Sequence, residues 1–323
     1  IAPDRAGTLF DKQHVVAVSV MAGEMAGQAV IEMAPPRLVD PCPPAIAGPY
    51  LPFIDRYGQF RHAEWPGKVR RDDELRAQAA EEAADLKAHP GPEDWDRWGG
   101  WVGGPRLRAT GFFRPEKVQG MWWLVTPTGR LFWSYGIDCI NPSAGTPVTG
   151  REGYFEGLPP VSGAPEGVYG KDQWAGPLVD HYAWNMLRKY GDHWRESFGE
   201  RAHARLRSWG MNTVGNWSDE NVRLARRTPY VVPVHFASPV IEGSEASFYQ
   251  FHDVFDPGFR MAVRATLEHE RGKSAGDPWC LGYFVDNEMN WGEDTDLAGA
   301  VLRSSPGQYA KKVLVEELQA RYG

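Results

Sequence analysis

The stretch that decides the fold is Cys280-Leu281-Gly282-Tyr283-Phe284-Val285-Asp286-Asn287-Glu288. Its first six residues form a short apolar run, and such a run bounded by polar residues predicts an apolar β-strand. The run changes abruptly to an acid, an amide and a second acid. Three polar side chains therefore stand where the predicted strand ends.

Three further predicted strands precede this one, with helical patterns between them. In chain order these elements are a strand over residues 131–138, buried where it ends near Asp138, a loop rich in Gly and Pro over 141–178, a helix over 194–206, a strand over 212–216, a helix over 218–227 capped by Ser218, a strand over 230–236 and a helix begun by Asp256 and Pro257. The helix over 194–206 has one apolar face, with apolar residues at steps of four, and a last helix over 306–321 follows the strand over 280–285. This alternation is typical of a parallel α/β architecture. Polar residues at the strand ends favour a (β/α)8 TIM barrel over a doubly wound sheet, with only the first half, about four βα units, present.

The ends of the first three predicted strands carry Asp138, Asn216 and His235. Trp217 and Trp291 also follow strand ends, and the face of an indole ring stacks well on a sugar ring. Barrel enzymes gather substrate-binding groups at this end of their strands, so all five residues are candidates for binding substrate. Hydrogen bonding to loop backbone is an equal alternative for each polar residue, and core packing is the equal alternative for each Trp.

Glu288 is the candidate catalytic residue. The apolar strand behind it predicts a partly desolvated carboxyl group, and desolvation favours the protonated form of a carboxyl group near neutral pH. A protonated carboxyl group can donate its proton to a glycosidic oxygen as the bond breaks, while Asn287 supplies an amide for a sugar hydroxyl. The alternative is that the pair only caps the following turn, but its place at the end of the fourth strand favours catalysis.

The chain divides into three predicted parts. Residues 1–45 hold two short β-branched runs and then a Pro-rich linker, which predicts the tail of an N-terminal β-sandwich domain of the carbohydrate-binding kind. Residues 46–115 form a connector with one helix, capped by Asp72 and ended by Pro90. Residues 116–323 form the N-terminal half of the barrel and begin with a hairpin around Pro127.

Composition argues against several classes of function. The 323 residues carry a net charge of -7, which argues against a nucleic-acid partner, and no apolar run is long enough to span a membrane. The three cysteines, Cys42, Cys139 and Cys280, fit no metal-ligand spacing, and no Gly-rich nucleotide-binding motif occurs. We therefore expect neither a metal ion nor a cofactor.

Four parts of the chain, taken together and in this order, resemble the family 50 glycoside hydrolases, the exo-acting β-agarases. They are PFIDRYGQF (residues 52–60) with WPGK (65–68), WWLVTP (122–127) with GRLFWSYG (129–136), WGMNTVGNWSD (209–219) and GYFVDNEMNWG (282–292). The resemblance covers the chain from about residue 50 to its end. Its specificity lies in the combination of these stretches.

The resemblance implies a β-sandwich domain before a (β/α)8 barrel that cleaves the β-1,4 bonds of agarose with retention, releasing neoagaro-oligosaccharides and chiefly neoagarobiose. It implies that Glu288, after Asn287 at the end of strand four, is the acid/base residue, and that the nucleophile is a second Glu at the end of strand seven. Residues 1–323 stop before a fifth strand, so we expect a fragment, truncated at both ends and inactive alone. The expected partner is agarose or a related galactan oligosaccharide, and the expected location is secreted or periplasmic.

Two alternatives remain open at this stage. Another barrel glycosidase, of the β-galactosidase type, would share the Asn-Glu pair of strand four but not the substrate. A non-catalytic carbohydrate-binding protein would use the aromatic surface of a chain with 14 Trp residues and would not need an acid.

Overall fold

The computed structural model of the protein describes residues 49–159, 161–162, 164–172, 176–244, 250–289 and 292–323. The β-sandwich tail predicted for residues 1–45 lies outside these described residues, and so does Trp291. Within the described residues the chain has the mixed α/β architecture that the sequence predicts. It contains a four-stranded antiparallel sheet, a four-stranded parallel sheet and a smaller three-stranded sheet.

The connector contains helix α1 (Asp72–Ala88), which matches the predicted helix. Its N-cap is Arg71, so the prediction of Asp72 as the cap is wrong. The Asp72 carboxylate accepts a hydrogen bond from the Tyr57 hydroxyl at 2.8 Å, and this tertiary contact uses an oxygen that a cap would need. Leu75 is buried and attaches the helix to the body of the protein.

The antiparallel sheet consists of β1 (Trp101–Arg106), β2 (Arg114–Val118), β3 (Met121–Val125) and β4 (Arg130–Phe132), in the order β1-β4-β3-β2. Strands β3 and β4 form the predicted hairpin, which Thr126 N closes by donating to Arg130 O at 2.8 Å. Strand β2 crosses residue 115, and residues 49–323 form one compact unit. The connector and the barrel half expected on either side of residue 115 therefore pack together.

Residues 141–178, predicted only as a loop rich in Gly and Pro, contain a small sheet. After β5 (Gly136–Ile137) come β6 (Thr146–Pro147), β7 (Tyr169–Asp172) and β8 (Gly176–Val179), and the last three pair in the antiparallel order β6-β8-β7. Strands this short and this rich in Gly and Pro carry too little alternation to stand out in a sequence. The chain then enters α2 (His181–Tyr190), capped by Asp180, which is a helix that the sequence did not predict.

Helix α3 (Trp194–Ser208) confirms the predicted apolar face. The side chains at its four-residue spacing, Trp194, Phe198, Ala202 and Leu206, are all buried in one core cluster with residues of the parallel sheet. Full burial of a Leu or Phe side chain contributes about 1.5–3 kcal/mol. This face therefore holds the helix against the sheet.

The parallel sheet consists of β5, β9 (Thr213–Val214), β10 (Tyr230–Val234) and β11 (Cys280–Val285), in the order β11-β10-β9-β5. Neighbours in space are thus consecutive parallel strands of the chain. Helices α2 and α3 lie between β5 and β9, α4 (Glu220–Leu224) lies between β9 and β10, and α5 (Pro257–Glu268) lies between β10 and β11. Because the strands are parallel, their carboxyl ends meet at one edge of the sheet.

Capping contacts explain where the connecting helices begin. Asp256 caps α5 as predicted, since its side chain accepts from Gly258 N at 2.7 Å. The predicted cap of α4, Ser218, is wrong: Asp219 accepts from two N–H groups of that helix, while Ser218 Oγ accepts from Ile140 N at 3.1 Å. Two helices follow β11, namely α6 (Asp296–Arg303), which was not predicted, and α7 (Tyr309–Tyr322), which was.

Strands β5 and β11 are the outer strands, and within the described residues the parallel sheet does not close into a barrel. Phe284 and Val285 of β11 are 56% and 59% exposed, as predicted for an open sheet with unpaired edges. The prediction of a buried strand ending near Asp138 is wrong, because β5 has a partner on one side only and its residues are exposed. Gly136 is required in β5, since a Cβ there would lie 1.8 Å from Thr213 O.

None of the helices in the described part of the chain combines the length and the apolar character that crossing a membrane requires.

Candidate active site

The structure brings the predicted strand-end residues to one edge of the parallel sheet. Asp138 directly follows β5, Asn216 follows β9, His235 directly follows β10, and Asn287 and Glu288 follow β11. Register places Ile137 opposite Val214 and Val234 opposite Val285, so the ends of neighbouring strands lie side by side. Trp291 is the one predicted site residue outside the described residues, and it stays a prediction.

Asp138 and Asn216 are joined directly. The exposed Asp138 side chain accepts a hydrogen bond from Asn216 N at 2.8 Å, and Cys139 N donates to Asn216 O at 2.8 Å. Asp138 therefore provides a hydrogen-bond acceptor for the backbone of the loop after β9. Its position at a strand end allowed this role or the binding of substrate.

The side chain of Asn216 has an unsatisfied atom. The residue is only 9% exposed, and its Oδ1 has no hydrogen-bond partner among the described residues. A buried acceptor without a partner costs about 1–3 kcal/mol, and such atoms are rare in folded proteins. Asn216 Oδ1 is therefore an acceptor that a hydroxyl group could satisfy.

Trp217 is held in a strained backbone conformation with its ring 41% exposed. Its φ is 57°, in the left-handed region, and its carbonyl oxygen accepts from Asn141 Nδ2 at 2.9 Å. Strained residues tend to occur at functional sites because the surrounding structure must be built to hold them. An exposed indole ring at a strand end can stack on a ligand. His235, at the end of the next strand, is also exposed.

The turn that carries Glu288 is strained at two positions. Asp286 has φ 57° and Glu288 has φ 49°, and a non-glycine residue in this region costs about 1–2 kcal/mol. Asn287, between them, is half-buried, whereas Glu288 is exposed. The partial desolvation expected for Glu288 is therefore not observed, because the outer strand behind it is itself exposed.

Two residues that the sequence did not single out, Ser238 and His252, form a hydrogen-bonded chain with Asp286 beside this turn. Ser238 Oγ lies 2.7 Å from His252 Nδ1, and His252 Nε2 lies 3.2 Å from Asp286 Oδ2. The His252 and Asp286 side chains are each 13% exposed. Ser238 and His252 come from the irregular segment between β10 and α5, where no periodicity or spacing could have indicated them.

These contacts limit which acids could act together with Glu288. Asp138 is bound to a backbone N–H, and Asp286 is paired with His252. Neither is a free second carboxylate at the strand ends.

Cysteine and metal chemistry gain no support from the described residues. Cys280 lies at the opposite end of β11, and burial raises the pKa of its thiol to about 11, so the thiol is neutral near pH 7. Among the described residues, no three His, Cys, Asp or Glu side chains are grouped so that they could hold a metal ion.

Known structures share this fold. The chain superposes on the crystal structure of an agarase, AgWH50C, with a TM-score of 0.73 and 27% identity, over 83% of this chain and 44% of that one. It superposes on PfGH50B with a TM-score of 0.75 and 27% identity, over 84% of this chain and 44% of that one. An exo-beta-agarase gives a TM-score of 0.74 at 25% identity, over 84% of this chain and 45% of that one.

Curated sequences give the same result. The chain is 32% identical to Beta-agarase B of Vibrio sp. (strain JT0107) over 314 residues, which is 84% of this chain. The chain resembles the family 50 β-agarases over most of its length. Beta-agarase A of the same organism is 26% identical over 326 residues, or 90% of this chain. No protein-family model matches the sequence.

The β-agarase family predicted from the sequence is thereby confirmed. The chain spans about a third of the length of the curated β-agarases that it matches, 33% of Beta-agarase B and 31% of Beta-agarase A.

Proposed function

We propose that these residues belong to the catalytic module of a retaining β-agarase in which Glu288 is the general acid/base residue. The observation that carries the proposal is the position of Glu288, which follows Asn287 just after β11, the last of four consecutive parallel strands. Barrel enzymes carry catalytic groups at this end of their strands. The agarase names of sequence relatives and of structures with the same fold support agarose as the substrate.

We also propose that the parallel sheet is the first half of a (β/α)8 barrel. The strand order follows the chain without reversal, as in a barrel and unlike a doubly wound sheet. The exposed apolar side chains of Phe284 and Val285 on β11 support this proposal, because a fifth strand would cover them. Strands five to eight would come from residues beyond these 323.

In the proposed reaction, the protonated Glu288 carboxyl group donates its proton to the oxygen of a β-1,4 bond as that bond breaks. A nucleophilic carboxylate about 5–5.5 Å away attacks the anomeric carbon from the other side and forms a glycosyl-enzyme. The Glu288 carboxylate then takes a proton from the water that releases the sugar. Asp138 and Asp286 have other partners. The resemblance to the family 50 β-agarases implies that the nucleophile is a second Glu, at the end of strand seven.

The products proposed are neoagaro-oligosaccharides, chiefly neoagarobiose, released with retention. Water exclusion by the bound polysaccharide would supply the desolvation that exposed Glu288 lacks here and would favour its protonated form.

Strand-end residues are proposed to bind the sugar. Asn216 Oδ1, buried without a partner, would accept from a sugar hydroxyl, and the exposed ring of Trp217 would stack on a pyranose. Asn287 would bind the hydroxyl next to the anomeric carbon, where a hydrogen bond strengthens in the transition state. His235 is exposed at the end of β10 and is the last of the residues proposed to bind substrate at the carboxyl ends of these strands. Agarose is a polymer too large to cross a membrane, so we propose a secreted or periplasmic enzyme.

The test is Glu288→Gln in the full-length protein, with Glu293→Gln as the matched control. Glu293 is an exposed acid five residues later. Loss of a general acid lowers kcat about 10²–10⁴-fold, and agarose binding should persist because the side chain keeps its shape. The control variant should retain kcat within about twofold.

A second measurement identifies which catalytic carboxyl group is lost. In Glu288→Gln, azide should restore turnover of a galactoside whose leaving group needs no proton, because azide attacks the glycosyl-enzyme without base assistance. The product should be the β-azide, since retention requires two inversions. An unchanged kcat on agarose in Glu288→Gln, or no azide product, would overturn the acid/base assignment.

A further inference from the structure

We propose that His252 is a positioning residue of this active site, acting through Asp286 on the turn that carries Asn287 and Glu288. The inference rests on the proposed function, because it assigns His252 to the same catalytic machinery. No direct contact of His252 with the substrate is required.

The contacts of His252 define a specific orientation of its ring. Nε2 lies 3.2 Å from Asp286 Oδ2, and Nδ1 lies 2.7 Å from Ser238 Oγ. A carboxylate can only accept, so Nε2 carries the proton, and Nδ1 of the neutral ring then accepts from the Ser238 hydroxyl. When the ring is doubly protonated, Nδ1 donates to the same hydroxyl oxygen. The contact with Asp286 therefore persists in both protonation states of His252.

Aromatic side chains hold the imidazole ring in place. The Phe236 ring stacks on it with centroids 4.7 Å apart and planes 18° apart, and the Phe259 ring lies 5.9 Å away at 48°. Phe236 lies just after β10 and Phe259 belongs to α5, so the His252 ring is held from two separate parts of the fold. Asp286 is the charged group that contacts the ring among the described residues.

Asp286 connects the fixed His252 ring to the turn that carries Asn287 and Glu288. Its backbone N–H donates to Val234 O at 2.9 Å, which extends the pairing of β10 and β11 by one residue. The chain then turns sharply, with φ of 57° at Asp286 and 49° at Glu288. A non-glycine residue stays in this region only where its surroundings hold it there. Asp286 is held by its hydrogen bond to Val234 O and by its pair with His252.

The chain of contacts from Ser238 through His252 to Asp286 ends two residues before Glu288. The consequence is specific: loss of the imidazole should move Asn287 and Glu288 relative to the bound sugar and affect the chemical step more than binding. A displacement of about 1 Å in a catalytic group can lower the rate about 100-fold.

The experiment compares His252→Ala, His252→Gln and Asp286→Ala with His181→Ala in the full-length protein. His181 is a matched control, because it is also buried and stacks on a phenylalanine, Phe155, but it lies at the start of α2. For His252→Ala we expect kcat on agarose oligosaccharides to fall about 10- to 100-fold, with KM changed less than about threefold. His252→Gln keeps an N–H donor for Asp286 and should recover most of the loss.

A crystal structure of His252→Gln and of Asp286→Ala gives a readout that does not depend on activity. Asp286→Ala removes the acceptor of the His252 N–H, so residue 286 should depart from its left-handed conformation or Glu288 should shift, whereas His252→Gln should preserve both. An unchanged kcat in His252→Ala, or an equal fall in His181→Ala, would overturn the inference. If His252→Ala does not fold, an unchanged kcat in Asp286→Ala would overturn it equally. Failure of the proposed function is separate, since it appears as retained activity in Glu288→Gln.

Discussion

The carboxylate of Asp138 accepts a hydrogen bond from the backbone N–H of Asn216 at 2.8 Å, and this contact ties the loop after β5 to the loop after β9. Ile140 N adds a second link by donating to Ser218 Oγ at 3.1 Å. The two links enclose Trp217, whose left-handed backbone needs such support. Asp138 thus orders the loops that carry two proposed sugar-binding residues.

Replacing Asp138 should therefore destabilise these loops. We expect Asp138→Ala to lower the free energy of unfolding by about 1–2 kcal/mol, since it removes a hydrogen bond to a charged acceptor that solvent partly screens. Asp138→Asn keeps an acceptor oxygen and should lose less. Urea unfolding followed by Trp fluorescence measures both, with the exposed Asp192→Ala as a control. Equal values for Asp138→Ala and Asp192→Ala would contradict the role of Asp138.

Trp217 should contribute to substrate binding through its exposed ring. We expect Trp217→Ala to raise the Kd for agarose oligosaccharides about tenfold, which corresponds to about 1.4 kcal/mol of lost stacking. Alanine keeps the Cβ atom, so the strained backbone is little affected. Trp122→Ala is the control, because Trp122 is 67% exposed on β3 of the antiparallel sheet and does not follow a strand of the parallel sheet. Calorimetric titration measures both variants, and a similar loss in the two would count against stacking at Trp217.

The buried His203 should make stability depend on pH. Burial, together with the smaller effect of the positive charge of Arg227, lowers the pKa of His203 to about 4. An unfolded histidine titrates near 6.5, so between pH 6.5 and 4 the unfolded state binds the extra proton. Stability contributed by neutral His203 is therefore lost as the pH falls from about 6.5, and the loss is complete below about 4.

The test replaces His203 with Asn. In the parent protein His203 Nδ1 lies 2.9 Å from Thr228 Oγ1, and the shorter Asn amide can still reach that oxygen. In the parent protein, His203 should lower the free energy of unfolding by on the order of 3 kcal/mol as the pH falls from about 6.5 to about 4. His203→Asn should remove this pH-dependent loss. Thermal unfolding from pH 4 to 7 measures it. The exposed His193→Asn should keep the slope of the parent protein, and a slope unchanged in His203→Asn would refute the prediction.

The open edge of β11 should make these 323 residues associate when they are isolated. Phe284 and Val285 are exposed on β11, which pairs with a strand on one side only within the part of the chain that the structure describes. Phe284→Lys should lower the tendency to associate, measured by sedimentation at several concentrations. Met261→Lys is the control, because Met261 is 71% exposed but lies on helix α5. If the two variants associate equally, the strand edge is not the cause.

Several local features followed from the sequence because a single pattern dictated them. The four-residue spacing of α3 and the Asp-Pro start of α5 describe burial and capping within one element, and both were confirmed. The caps of α1 and α4 were wrong because capping oxygens are shared with distant partners. Asp72 bonds to Tyr57, and Ser218 accepts from Ile140, contacts that no local pattern records.

The sequence by itself determined that Glu288 ends an apolar strand after Asn287, and the order of its motifs indicated the β-agarase family. Such features are local, because side-chain periodicity reports which face of an element is buried. Only the tertiary structure decided that His252 meets Asp286, that Asp138 binds Asn216 and that Glu288 is exposed. These depend on how parallel strands align at their carboxyl ends, and that alignment results from the packing of the whole sheet.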